Sequence, residues 1–140
     1  MDTTFFANLN WLAILVAALA YFILGALWYS KALFANTWVK STGVDMTRAD
    51  AKKGVGGIMA FTFLLEFITC IGLGILVNRL MLSGVTSGVK WGLFTGVCFS
   101  AISISISYLY QSKPKVLSAI DAGYHIVGCV LATVILCVWP

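Results

Sequence analysis

Charged residues are scarce in this chain of 140 residues. Asp, Glu, Lys and Arg together make up 10% of it, whereas about 25% is usual for a soluble domain. Hydrophobic residues account for 61% even with glycine left out. This composition excludes an ordinary soluble domain, a disordered tail and a nucleic-acid-binding protein. It also leaves too little polar material for a soluble enzyme.

Four long apolar stretches predict four membrane spans. They cover about residues 11–29, 55–78, 88–110 and 117–139. Each reaches the roughly 20 residues that a helix needs to cross the hydrocarbon core. A backbone in lipid must satisfy its own hydrogen bonds, and the alternating segments of a barrel are missing, so we expect helices. The predicted fold class is an all-α membrane protein, with a single four-helix transmembrane domain over residues 1–140.

The basic residues are distributed unevenly between the connections. Residues 30–54 hold five of them and residues 111–116 hold two, whereas the opposite side holds only Arg79 and Lys90. The positive-inside rule therefore predicts that the two basic connections are cytoplasmic and that both termini lie outside. Because no basic residue precedes the first apolar stretch, we expect it to be a retained span and not a cleaved signal peptide.

The longest connection carries aromatic and basic residues that suit a membrane interface. Residues 31–40 mix both kinds, which predicts a short cytoplasmic interfacial helix. Trp28, Tyr29 and Trp38 are the predicted interface anchors. Two capping patterns, at residues 47–50 and 118–121, predict the starts of the second and fourth helices. In the latter, a capping role for Asp121 is favoured over a role in orienting a nearby histidine.

Small residues recur every four positions along the third span. Gly88, Gly92 and Gly96 form one stripe, and Gly123 and Gly128 add small positions on the fourth span. Small residues let helix backbones approach closely in lipid. The favoured interpretation is packing inside one bundle. The alternative is an interface between protomers of a homo-oligomer, and both can hold on different faces.

Polar residues inside the spans are the main chemical lead. Glu66 falls near the middle of the second span, where a charge costs several kcal/mol, so it should face protein or water. At 1.5 Å per residue, Glu66 and His125 lie roughly 16 and 12 Å from the cytoplasmic ends of their helices, within reach of each other. Side chains at similar depths or on the same helix faces complete a predicted polar seam: Thr62, Glu66, Thr69, Ser100, Ser103, Ser107 and His125.

This polar seam has two interpretations. Glu66 and His125 can hydrogen-bond each other and fix the helix register, or they can line a path for protons, ions or a small solute. A metal or haem site is disfavoured because a lone histidine lacks a ligand cluster. We therefore expect no metal, no cofactor and no catalytic residues. The four cysteines are interpreted as small apolar fillers.

Two segments resemble a known family. Residues 25–34 read Gly-Ala-Leu-Trp-Tyr-Ser-Lys-Ala-Leu-Phe and are followed by Trp38, and residues 121–125 read Asp-Ala-Gly-Tyr-His. Together they resemble the domain-of-unknown-function family DUF1761, a group of small bacterial integral membrane proteins, over nearly the whole chain. The resemblance implies a four-helix protein of a bacterial inner membrane. It implies no reaction, ligand or site residues.

The favoured functional prediction is a non-enzymatic structural or accessory membrane component. We expect it to contact the lipid bilayer, to self-associate or join a larger membrane complex, and to bind no nucleic acid. The alternative prediction is a proton-linked channel or small-solute transporter that uses the polar seam of Glu66 and His125.

Overall fold

The computed structural model describes residue 6, residues 8–44 and residues 54–139. All regular secondary structure in these residues is helical, which confirms the predicted all-α class. The elements in chain order are α1 (Trp11–Trp28), α2 (Ala35–Thr42), α3 (Val55–Arg79), α4 (Gly84–Thr95), a π-helical segment (Gly96–Ala101), α5 (Ile102–Tyr110) and α6 (Lys115–Val138).

Four helices are long and apolar enough to cross a membrane. They are α1, α3, α6 and the continuous helix Gly84–Tyr110, which contains α4, the π-helical segment and α5. This arrangement indicates a multi-pass membrane protein. The third of these helices begins at Gly84 and not near residue 88, because the polar residues that precede the apolar stretch already adopt helical geometry.

The helix starts differ in how they are capped. The Asn10 side chain accepts a hydrogen bond from the amide of Ala13 and so caps α1. Helix α6 begins directly after Pro114, whose missing N–H is not needed at a helix start. Asp121 therefore lies well inside α6, and the predicted cap at residues 118–121 is wrong. The predicted cap at residues 47–50 lies outside the described residues.

Helix α6 occupies the centre of the bundle. It packs against α1, α2, α3 and the whole of the third span, whereas α3 does not pack closely against the third span. The best-buried side chains come from α1, α3 and α6 and include Ile14, Ala17, Tyr21, Cys70, Cys129 and Ala132. Because one side of α6 is left open between α3 and α5, the bundle has a lateral gap.

The glycine stripe of the third span faces α6. A Cβ atom built on Gly88, Gly92 or Gly96 would lie 2.5–2.8 Å from a backbone Cα atom of α6. These glycines therefore allow two helix backbones to touch within one bundle. Gly84 takes no part in this contact, since a Cβ atom at this position would have no described atom within 4 Å, and its φ of +79° is that of the first residue of α4.

The short helix α2 follows α1 after a tight turn. It ends at Thr42, and the next residue, Gly43, has a left-handed φ of 69° that suits glycine. The Trp38 indole of α2 packs edge-to-face on the ring of Tyr29, with the ring centroids 5.8 Å apart. The predicted short helix between the first two spans is thus present, and its aromatic residue is held against the bundle.

Candidate functional site

A cavity of about 910 Å³ fills the lateral gap between α3 and α5. We call it the groove. Helix α6 forms its floor, and α2 lies at the end of the bundle where α1 and α5 end and α3 and α6 begin. Six of the seven residues of the predicted polar seam line it: Thr62, Glu66, Thr69, Ser103, Ser107 and His125. Ser100 lies elsewhere, with its hydroxyl 3.9 Å from the sulfur of Cys129.

Glu66 is the most unusual residue of the groove. Its side chain is 5% exposed, and its Oε1 accepts a hydrogen bond from the hydroxyl of Tyr124. Its Oε2 has no hydrogen-bond partner among the residues that the structure describes. Burying an ionised carboxylate with a single donor is costly, so a proton or a bound cation that neutralises the charge is favourable at this position.

His125 is bonded to a tyrosine and not to Glu66. Its Nδ1 lies 2.8 Å from the hydroxyl of Tyr21, a hydrogen bond whose donor depends on the histidine tautomer. Within the described part of the chain, Glu66 and His125 do not bond to each other. Each is paired with a tyrosine of a neighbouring helix, although both line the same groove.

Asp121 joins three parts of the bundle at the entrance of the groove. Its Oδ1 accepts a hydrogen bond from Tyr29 and its Oδ2 accepts one from Tyr108, both at 2.7 Å. Burial raises the pKa of the Tyr29 phenol above its ordinary range, and the hydrogen bond to Asp121 raises it further. Tyr29 therefore remains a neutral donor. Both carboxylate oxygens of Asp121 accept a hydrogen bond, whereas one oxygen of Glu66 has no partner in the described part of the chain.

Aromatic rings form a continuous wall along the groove. The ring of Tyr124 contacts those of Tyr21 and Tyr29 with centroid distances of 5.4 and 5.5 Å, and Tyr29 in turn contacts Trp38. All of these contacts are edge-to-face, the arrangement that aromatic quadrupoles favour. The wall extends from α2 to the middle of the bundle.

The sequence interpretation misses three site residues: Tyr21, Tyr108 and Tyr124. Phenols inside an apolar helix need a hydrogen-bond partner when they are buried. The sequence places three hydrogen-bond acceptors inside the spans: Glu66, Asp121 and His125. Assigning each buried tyrosine to one of these acceptors would have identified the three tyrosines as site residues.

The predicted interface anchor Trp28 and the predicted packing residues Gly123 and Gly128 lie where α1 contacts α6. The Trp28 indole N–H donates to the carbonyl oxygen of Ile120 at 3.1 Å, so this residue is bonded to α6. A Cβ atom on Gly123 would lie 3.3 Å from the Trp28 ring, and one on Gly128 would overlap the Tyr21 ring. These glycines thus give the aromatic rings of α1 their space against α6.

A tightly packed layer closes the inner end of the groove. Ala17, Ala18, Cys70, Cys129 and Ala132 are each no more than 2% exposed. Beyond this layer, a second cavity of about 290 Å³ lies at the opposite end of the bundle, lined by Asn8, Asn10 and Asn78 among others. The groove therefore reaches from one end of the bundle to mid-span, and it is open sideways between α3 and α5.

The comparisons with known proteins give a family. Neither a curated protein nor a solved structure matches the chain. Within the described residues, no group of three His, Cys, Asp or Glu side chains is placed to hold a metal ion. The family described as "Protein of unknown function (DUF1761)" matches residues 12–137. The predicted resemblance is confirmed, and the chain belongs to the DUF1761 family.

Proposed function

We propose that this protein is a non-enzymatic membrane transporter that exchanges a small solute for protons, with the groove as its binding site. The observation that supports this proposal is Glu66. It is a buried carboxyl with one oxygen that has no partner among the described residues, it lines a large cavity, and it lies about 16 Å along its helix from the nearer end. An ionisable residue at such a depth is expensive, and it is retained where it handles ions or protons.

Exchange is possible because either a proton or the solute can neutralise the carboxylate of Glu66. When the groove is empty, a proton on Glu66 removes the cost of a buried charge. When a solute neutralises the carboxylate, the proton leaves. Because each partner displaces the other, movement of the solute in one direction is coupled to movement of protons in the other.

Transport also requires the groove to close and a path to open on the far side. The packed layer at Ala17, Cys70 and Ala132 separates the two cavities and is the barrier that must move. The π-helical segment Gly96–Ala101 lies in the third span beside α6, and π-helical turns commonly mark functional sites in helices. We propose that this segment is where the third span changes its register during exchange.

We further propose that the protein lies in a bacterial inner membrane with both termini outside. Seven of its nine basic residues belong to the two connections at the end where the groove begins. Positive-inside orientation places that end in the cytoplasm, so the groove of this state receives its solute from the cytoplasm.

A structural or accessory role in a self-associating assembly is the second candidate function. The observation that favours it is the tight contact between the third span and α6, which builds a rigid bundle with an apolar outer face. In that case the groove is filled by lipid or by a neighbouring protein, and the charge of Glu66 has no transport role.

Proton movement in proteoliposomes tests the proposal and separates the two candidates. Vesicles with a pH-sensitive dye inside and a pH gradient are challenged with a cationic, a zwitterionic and an anionic solute: tetramethylammonium, glycine and acetate. We expect one class to dissipate the gradient faster with the protein than without it. Glu66→Gln should abolish this effect, while Asp2→Asn, the same kind of chemical change outside the predicted spans, should not. Equal fluxes for the wild type and Glu66→Gln would contradict transport and favour the accessory role.

A further inference from the structure

We infer that the ligand of the groove is an organic cation that carries an apolar or aromatic group. This inference rests on the proposed function and names its substrate class. It depends on four features of the groove: the charge of its lining, the aromatic wall, its size and apolar surface, and the unequal bonding of its two carboxyl groups. Each feature points to the same ligand chemistry.

The charge of the lining favours a cation. Glu66 and Asp121 both line the groove, and none of its lining residues in the described part of the chain is a lysine or an arginine. Charges interact much more strongly inside a bundle than in water because the surroundings are less polarisable. A cation is therefore attracted to this lining, and an anion is repelled by it.

The aromatic wall favours an organic cation over a metal ion. Tyr29, Trp38 and Tyr124 contact one another in sequence along the groove. Aromatic faces attract ammonium groups within about 6 Å, and wall-lined pockets of this kind recognise quaternary ammonium ligands. A metal ion would instead favour a cluster of charged or imidazole ligands, and no group of three His, Cys, Asp or Glu side chains in the described residues is placed to hold one.

The size and apolar surface of the groove favour a ligand larger than a simple ammonium ion. A volume of about 910 Å³ lies within the range of roughly 300–1,000 Å³ that holds drug-sized molecules. Ile58, Leu65 and Ile104 contribute apolar surface between the polar positions. The ligand that fits this lining pairs a charged head with an apolar body.

The two carboxyl groups have different tasks. Asp121 accepts one phenolic hydrogen bond on each oxygen, so it holds Tyr29 and Tyr108 in place. Glu66 accepts one bond on Oε1 and has no described partner on Oε2. Glu66 is therefore the counter-ion of the ligand, and Asp121 positions the wall.

The test measures binding by titration calorimetry on the full chain in a neutral detergent. The probe is benzyltrimethylammonium, its neutral counterpart is neopentylbenzene, in which carbon replaces the charged nitrogen, and its anionic counterpart is phenylacetate. We expect the cation to bind at least about tenfold more tightly than the neutral compound. Titrations in buffers of different ionisation enthalpy should detect the release of about one proton per bound cation.

Two variants assign the effect to the groove. Glu66→Gln should weaken binding of the cation at least about tenfold and abolish the proton release, without changing binding of the neutral compound. Trp38→Ala should weaken binding of the cation about threefold through loss of the ring face, whereas Trp91→Ala should not, because Trp91 does not line the groove. If Glu66→Gln does not fold, the Trp38 and Trp91 pair still decides the result.

The outcomes separate this inference from the proposed function. Equal affinity for the cation and the neutral compound, or tighter binding of phenylacetate, would overturn the inference. Binding of the cation with proton release, in a protein whose proteoliposomes move no protons, would support the inference and overturn the transporter. Proton movement driven by glycine, with equal binding of benzyltrimethylammonium and neopentylbenzene, would support the transporter and overturn the inference.

Discussion

The hydroxyl of Tyr124 donates a hydrogen bond to Oε1 of Glu66 and so connects the central helix α6 to α3 inside the membrane-spanning region. Gly25 on α1 makes this bond possible. A Cβ atom at position 25 would lie 2.9 Å from the Tyr124 hydroxyl, so any larger residue would press on the donor. Two segments that are far apart in sequence, one with Gly25 and one with Tyr124, thus meet at the buried carboxyl.

Replacing Tyr124 by phenylalanine tests the importance of this bond. Glu66 would lose the one hydrogen bond that the structure shows for it, and such a bond to a charged group contributes about 1.5–3 kcal/mol. We therefore expect Tyr124→Phe to weaken binding of benzyltrimethylammonium about 10- to 100-fold in calorimetry. Tyr110→Phe is the matched control, since Tyr110 is 90% exposed. Equal losses in the two variants would show that the bond to Glu66 does not matter for binding.

Asp121 offers a separate test of what holds the groove together. In Asp121→Ala the phenols of Tyr29 and Tyr108 both lose their acceptor, which should lower the free energy of unfolding by about 2–4 kcal/mol. Asp121→Asn keeps one acceptor oxygen and should lose about half as much. Thermal unfolding in detergent measures both. A wild-type melting temperature for Asp121→Ala would mean that these bonds contribute nothing to stability.

The number and type of the membrane-spanning helices could be predicted because they depend on the number and length of the apolar stretches. An apolar stretch of about 20 residues in lipid has to be helical, whatever its neighbours are. The start of α6 shows the limit of local patterns. Residues 118–121 fit a capping pattern, but Pro114 precedes them and the helix already begins at Lys115. The capping pattern therefore lies inside a helix that starts earlier, where it has no free amides to cap.

The depth of the polar residues was easier to predict than their partners. Glu66 and His125 do line one groove, because depth follows from the rise per residue. Their hydrogen bonds depend on how each helix is rotated, and rotation is decided by packing. Gly128, for example, leaves the space in which the Tyr21 ring lies, and that ring then reaches His125. The rotation of each helix about its axis therefore cannot be predicted from the sequence when the packing contacts are unknown.

Because the third span contacts α6 through its glycines, we expect two glycine substitutions to change the stability of the protein by different amounts. A Cβ atom on Gly92 would lie 2.5 Å from the Cα atom of Val130, so the two backbones must separate. We expect Gly92→Ala to lower the free energy of unfolding by about 1–3 kcal/mol. Gly72→Ala is the control, because nothing lies within 4 Å of its Cβ position and alanine favours a helix. Thermal unfolding of both variants in detergent gives the comparison, and equal stability would contradict the backbone contact.

Single-cysteine labelling tests the proposed orientation. In a chain whose four native cysteines are replaced by alanine, a cysteine is placed at Ser112 or at Ser83, two solvent-accessible positions at opposite ends of the bundle. A membrane-impermeant maleimide should label Ser83→Cys in intact spheroplasts and Ser112→Cys only after permeabilisation, because Ser112 lies in a basic connection.

The reversed labelling pattern would place the basic connections and the groove entrance outside the cell. Cation binding and its dependence on Glu66 would be unaffected by that result, since both depend only on the lining of the groove. The direction of loading would change, because this state of the protein would then take its solute from outside and not from the cytoplasm. Labelling therefore decides which way the exchange runs, separately from what the groove binds.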